Sequence, residues 1–310
     1  MCRHLAYLGP PVPLRSVLID QPHSLYRQAW APRLQRHGTV NADGFGIGWY
    51  ADGDPVPARY RRAVPIWGDL TLPDLARVTR SGAVLAAVRS ATEGTALGEA
   101  AAAPFGAGPW LFSHNGLLNG WPAAAVPLAG GLGAAGRDSG PPPAGSLPQP
   151  PGAAAGAPGG AAALLSLEAM VDSAFLWALV LERLRAGLAM GDALAGTIAA
   201  VSAAGGTGRF NFLLTDGQSI AATACGDTLW YRQENGEPAR QATGAAVPAD
   251  SPAPPAAASV VVASEPFDDE PGWHEVPDQH LLIATANAAS VRPLAAARPV
   301  PERPPTVAAR

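Results

Sequence analysis

Met1-Cys2-Arg3-His4-Leu5-Ala6-Tyr7-Leu8-Gly9 opens this chain of 310 residues. Loss of one methionine makes Cys2 the N-terminal residue. Such a cysteine carries its own base, because the α-amine sits on the same residue as the thiol and titrates near pH ~7.7–8.0. An amine of that pKa takes the proton from an attacking thiol and later hands one to a leaving amine, as the amine of an N-terminal threonine nucleophile does. Taken alone an early cysteine carries little meaning, and what lies downstream decides its role.

Working outward, Pro10, Pro11 and Pro13 interrupt the opening run, which argues against a secretory signal peptide. Asp43-Gly44-Phe45-Gly46-Ile47-Gly48-Trp49-Tyr50 alternates glycine with bulky residues, as a strand does when something packs closely on it. It lacks the G-x-G-x-x-G spacing of a dinucleotide loop. Ala83–Val88 is a continuous apolar run that reads as a buried strand ending in Arg89-Ser90-Ala91-Thr92-Glu93. Trp110–Ser113 reads as a second strand, ending in His114-Asn115-Gly116, where Asn-Gly is a turn signal.

Further on, Phe175, Leu176, Leu179, Val180, Leu184 and Leu188 recur at helical steps behind Asp172 and Ser173, which occupy the capping position. A second helix is expected over 193–203. Strands return at 210–215, 219–224, 229–232, 259–264 and 280–285. Strands, then helices, then strands is an α+β order. Two stretches, 129–163 and 238–258, are Gly/Ala/Pro-rich and too poor in apolar bulk to offset the entropy of ordering them, so they read as flexible insertions.

Composition narrows the field. Net charge is −4 and every basic residue is arginine, with no basic run, so no nucleic-acid partner is expected. No segment reaches the ~20 unbroken apolar residues of a membrane helix, and no membrane partner is expected. Cys2 and Cys225 are the only cysteines, which favours reduced thiols and a cytoplasmic location. Cys2 and His4 are the one close Cys/His pair, without further ligands nearby, so no metal and no cofactor is expected.

Cys2, Arg89 after a buried strand, His114-Asn115-Gly116 after another, and Asp172 at a helix start come in this order. So placed, they resemble the class II glutamine amidotransferases, a branch of the N-terminal nucleophile hydrolases. Asn41–Tyr50, Pro65-Ile66-Trp67, Val88–Thr92, Leu111–Gly116, Leu213–Gly217 and Ala263-Ser264-Glu265-Pro266 extend the resemblance over most of the chain outside the two insertions. It is closest to the ergothioneine-pathway branch, which acts alone on γ-glutamyl-hercynylcysteine sulfoxide.

The resemblance implies a four-layer α/β/β/α sandwich in one domain over 1–286, with Cys2 beginning the first strand at a sheet edge and a disordered tail over 287–310. It implies that Cys2 attacks a γ-glutamyl carbonyl to give an oxyanion and then a thioester. The catalytic donors to that oxyanion would be the Asn115 side chain and the Gly116 N–H. Arg89 would clamp the glutamyl carboxylate bidentately and Asp172 would pair with its ammonium, with Thr92 and His114 also in the substrate site.

The chain departs from many relatives at Ala174, where they carry glutamate, and at Glu93, where they carry histidine. The expected partner is a small γ-glutamyl compound, and a homo-oligomer is compatible with the sequence. The alternative within the family is a glutaminase subunit that passes ammonia to a separate synthase. Tyr50, Trp67, Trp110 and Trp121 are aromatic candidates for contacting a quaternary ammonium in the leaving group.

Overall fold

Alternating burial along β1 (Arg3–Pro13) sets out the layers of the molecule. Leu5 and Tyr7 pack into one apolar cluster with Leu14, Leu18 and Leu25, while Ala6 and Leu8 pack into another with Leu111 and Leu213. Successive side chains of a strand point to opposite faces, so β1 is covered on both. The structure, a computed structural model, describes residues 2–91, 98–129, 164–165, 167–234 and 258–294. Nearly all of both expected insertions, and residues 295–310 of the expected tail, lie outside these.

The remaining described strands are β2 (Phe45–Trp49), β3 (Ala58–Arg62), β4 (Arg80–Val88), β5 (Phe105–Ala107), β6 (Trp110–Leu118), β7 (Gly208–Thr215), β8 (Ile220–Ala224), β9 (Trp230–Glu234), β10 (Ser259–Ala263), β11 (His274–Glu275), β12 (His280–Thr285) and β13 (Ala288–Pro293). They form two antiparallel sheets. The first has seven strands in the order β11-β9-β10-β1-β4-β2-β3, and the second has six in the order β13-β12-β8-β7-β6-β5.

Helices α1 (Leu14–Leu18), α2 (Leu25–Gln28) and α3 (Leu72–Val78) cover the outer face of the first sheet. α4 (Val126–Ala129), α5 (Asp172–Arg185) and α6 (Met190–Ala203) cover that of the second, where Phe112 stacks on Trp177 at 5.3 Å between ring centroids. Burying each such aromatic contributes ~1.5–3 kcal/mol. This is the α/β/β/α sandwich, and the glycines of β2 explain how tightly it closes. A Cβ on Gly46 would collide with the Ala103 carbonyl, and one on Gly48 with Leu111.

Four expectations need correction. β1 is the central strand of its sheet, between β10 and β4, and not an edge. Its hydrogen-bonding capacity is taken up on both sides, with Leu5 opposite Ala263 and Ala86. His114-Asn115-Gly116 is no turn: β6 runs on to Leu118, pairing Asn115 with Asn211 and Gly116 with Phe210. Glycine is needed there because a Cβ would strike the Arg209 carbonyl, so close approach wins over turn propensity. Residues 288–293 of the expected tail form β13, which pairs with β12 from His280 to Thr285 and covers its edge. Asp172 is the first residue of α5 and not its N-cap, which is Val171.

Candidate active site

The register of the first sheet brings the two ends of the chemistry together. Arg3 on β1 faces Val88 on β4, so Cys2 and Arg89 lie side by side just past the strand ends. Arg89 is fixed from its backbone, donating its N–H to the Gly44 carbonyl at 2.8 Å and accepting from the Asp43 N–H at 2.9 Å. The Asp43 carboxylate holds the next turn by accepting from the Ala91 N–H at 2.8 Å.

The second sheet contributes an unfilled strand edge. β5 pairs only with Trp110, Leu111 and Phe112, so that among the described residues no strand covers the rest of that side of β6. Asp172 reaches over from α5 and caps it, its Oδ2 accepting from the Leu118 N–H at 2.9 Å. In an antiparallel pair the N–H groups of alternate residues point the same way. With the Leu118 N–H turned from β7 toward Asp172, the Gly116 N–H also turns from β7, toward the cleft.

That cleft, about 470 Å³ with its open mouth, is lined by Cys2, Arg89, His114, Gly116, Asp172 and Ser173 among others. Phe105, Ala101 and Val171 form its apolar wall. It therefore gathers five of the seven residues singled out in the sequence. Thr92, like Glu93 and Met1, lies outside the described residues.

Asn115 is not a lining residue but stands one step behind. Strand alternation puts its side chain on the face that carries Ser113, whose Oγ is 3.2 Å from His4 Nδ1 between the sheets. Two residues further toward the cleft, the same faces carry Asn115 on β6 and Cys2 before β1. The Asn115 amide is fully buried, and neither its nitrogen nor its oxygen has a hydrogen-bond partner among the described residues. Buried amides are rarely left so. Asn211, its cross-strand neighbour, has both amide atoms bonded, donating to the Asp227 and Thr228 carbonyls and accepting from the Cys225 and Asp227 N–H groups.

His114 braces the site from below. Its Nε2 lies 2.9 Å from the Arg209 carbonyl, an acceptor, so Nε2 carries the proton. Nδ1 then accepts from Ser173 Oγ at 3.0 Å. Burial pushes this imidazole below its ordinary pKa, opposed by the charge of Asp172, and the ring stays neutral. Ser173 also donates its backbone N–H to Asp172 Oδ1 at 2.7 Å. His114 thus fixes the residue that helps to fix Asp172.

Two buried groups beside Cys2 escaped sequence reasoning. Arg3 and Glu265 are both fully buried and pair at 3.7 Å. Glu265 in turn accepts from the Arg33 and Leu34 N–H groups at 2.8 and 2.7 Å, tying that loop to the start of β1. Burial pulls Arg3 below its ordinary pKa, while Glu265, Asp227 and Cys2 raise it. Their signal was the charge in two otherwise apolar strand ends. Of the aromatic candidates none lines the cleft: Tyr50 donates to the Pro109 and Thr215 carbonyls, and Trp121 packs on Phe175. Among the described residues no group of three or more His, Cys, Asp or Glu is placed to hold a metal ion.

Two facing antiparallel sheets between helical layers, with this cleft at the head of a central strand, define an N-terminal nucleophile hydrolase fold of the class II glutamine amidotransferase type. A glutamine aminotransferase class-II domain protein from Silicibacter pomeroyi matches with a TM-score of 0.55 at 25% identity, over 95% of this chain and 100% of that one. Glutamine phosphoribosylpyrophosphate amidotransferase from B. subtilis shares the fold, with a TM-score of 0.53 at 15% identity over 95% of this chain and 49% of that one. In sequence, the chain is 36% identical over 296 residues to gamma-glutamyl-hercynylcysteine sulfoxide hydrolase of Mycolicibacterium smegmatis, covering 95% of this chain and 100% of the relative. It belongs to the family of those hydrolases. No protein-family model matches it. No helix among the described residues is long and apolar enough to cross a membrane.

Proposed function

We propose that this chain is a stand-alone cytoplasmic hydrolase that cleaves γ-glutamyl-hercynylcysteine sulfoxide to glutamate and hercynylcysteine sulfoxide. The observation that carries the reading is the meeting of Cys2, Arg89, Asp172 and Gly116 in one cleft, drawn from both sheets and a helix. A γ-glutamyl group has an α-carboxylate, an α-ammonium and, at its far end, the reactive carbonyl. Arg89 takes the carboxylate as a planar fork. Asp172 keeps lone pairs beyond those used by Leu118 and Ser173 and takes the ammonium.

With Met1 removed, the Cys2 α-amine accepts the thiol proton and Sγ attacks the γ-carbonyl. The oxyanion falls to the Gly116 N–H and the Asn115 amide. The amine then protonates the leaving nitrogen, leaving a thioester. Water, deprotonated by the same amine, attacks that thioester and releases glutamate.

The test combines intact mass with glutamate release, for wild type beside Cys2→Ala, offering the γ-glutamyl sulfoxide and glutamine separately. Loss of Met1 with Cys2-dependent glutamate from the sulfoxide, and little from glutamine, is the expected outcome. Release chiefly from glutamine would replace this reading with an ammonia-donating subunit. No release despite a free Cys2 would end it for both substrates.

A further inference from the structure

The cleft has two walls that come from outside the first sheet, and both are fastened to the same pair of arginines. Arg59 and Arg61 lie on β3, the edge strand of that sheet, opposite Gly48 and Gly46 of β2. The glycines let the 103–104 segment and Leu111 close onto this face, and the Arg61 stem lies there too, its Cγ 3.0 Å from where a Gly46 Cβ would stand.

From there Arg61 Nη1 donates to the Ala100 and Ala102 carbonyls at 3.4 and 3.5 Å, and Arg59 Nη1 to the Pro104 carbonyl at 3.5 Å. These bonds anchor the wall that carries Ala101, Ala103 and Phe105. The same two nitrogens hold Glu168. Its Oε1 is 3.2 Å from Arg59 Nη1 and its Oε2 is 2.8 Å from Arg61 Nη1. Glu168 stands just ahead of Val171, Asp172 and Ser173, which form the opposite wall.

Edge strands often carry charge simply to discourage pairing with other chains, and exposed ion pairs contribute little to stability. This one differs in its build: a single carboxylate receives two guanidinium groups, and although Arg59 and Glu168 are exposed residues overall, their side chains and that of Arg61 are only 18–29% exposed.

We infer that Glu168, which does not line the cleft, is a positioning residue that sets the distance between Asp172 and Arg89 through its double ion pair with Arg59 and Arg61. Arg89 is fixed within the first sheet. Asp172 belongs to the second layer, and the Glu168 pair is a direct polar tie between that wall and the first sheet. The spacing sets how well a ligand with both an α-carboxylate and an α-ammonium fits, so the clamp acts on glutamyl recognition and not on the reacting carbonyl. The inference rests on the γ-glutamyl hydrolase reading.

Steady-state kinetics test it with wild type, Glu168→Gln, Asp172→Asn and the double variant. The substrates are a γ-glutamyl amide and the matching glutaryl amide, which lacks the α-ammonium. Glu168→Gln is expected to raise KM for the γ-glutamyl substrate about five- to tenfold with kcat within about twofold. That is well short of the ~100-fold loss that follows misplacement of reacting groups. It should leave KM for the glutaryl amide unchanged, and it should add nothing to Asp172→Asn, since both act through one carboxylate.

An unchanged KM, an equal penalty on both substrates, or full additivity would overturn the inference. Arg61→Lys, which keeps the charge and loses the fork, should give an intermediate KM and covers the case in which Glu168→Gln does not fold. If wild type itself releases no glutamate, the functional reading fails. The clamp is then judged by calorimetric binding of glutamate to Cys2→Ala with and without Glu168→Gln: about five- to tenfold weaker binding supports it, and equal binding overturns it.

Discussion

Among the described residues Asn115 is a buried amide with no hydrogen-bond partner, and on the proposed mechanism that separates catalysis from stability at a single residue. Replacing it by alanine removes no hydrogen bond that the described structure shows, so little folding energy is lost with it. It does remove one of two proposed oxyanion donors, a loss of ~10²–10³ in rate. Asn115→Ala is therefore expected to lower kcat by about that factor while the thermal midpoint stays level or rises. Steady-state rates beside a melting curve check this, and a large fall in midpoint would mean that the amide is structural. At this scale the grouping was legible in the sequence, since Cys2, Arg89, Gly116 and Asp172, singled out by residue type and order, line one cleft. Glu168 was not legible, because its meaning lies in Arg59 and Arg61, more than a hundred positions earlier, and a lone glutamate ahead of a helix has no period or spacing to mark it.

Strand β6 is the element on which the sequence reading and the structure part company. Local propensity favours a turn at Asn-Gly, whereas the paired strand runs through it from Trp110 to Leu118. Gly116 is there for space. A methyl group at that position meets the backbone of β7 at Arg209, which has no flexible end to yield. Gly116→Ala should separate β6 from β7 around the cleft and destabilise the protein by about 1–3 kcal/mol or more. Gly68→Ala is the control. A Cβ there meets only Pro65 at 3.9 Å, and the change should stay within about 0.5 kcal/mol. Urea unfolding of the two variants decides, and equal midpoints would show that the strands give way to the methyl. Most other elements were readable, because β4, β7, β10, α5 and α6 carry runs or periods of their own. β13 was not, since Ala288–Pro293 is short, mostly exposed and without an apolar run, and is a strand because β12 offers it an edge.

Across the whole molecule, the two sheets meet around polar residues as well as apolar ones, and this ties stability to pH. Burial drives His4 down to about 3, with the charges of His114 and Arg3 adding to the effect, and it drives His114 downward too. Unfolded, both titrate near ~6.5. Below that value the unfolded chain takes up protons that the folded one refuses. The contribution is complete above pH ~6.5 and shrinks as pH falls toward the folded values, by at most about 1.4 kcal/mol per pH unit for each histidine. Asp227, raised by burial against the lowering charges of Arg209 and Arg3, works the other way. Urea midpoints at about pH 7.5, 6 and 5 should fall steadily, and His4→Asn should flatten the slope by about one proton. A level profile would refute the assignment. The sandwich itself was expected from the resemblance. The central place of β1 was not, because which strands neighbour one another is a property of distant pairings.

That placement also bears on timing during synthesis. β1 is made before both of its neighbours, β4 soon after it and β10 about 250 residues later. Asp172 and strands β5 to β8 of the second sheet also arrive between them. Cys2 is thus made early, into a half-built scaffold that still lacks Arg89, Gly116 and Asp172 around it. The cleft around Cys2 therefore closes only late, once Asp172 and β10 have been made.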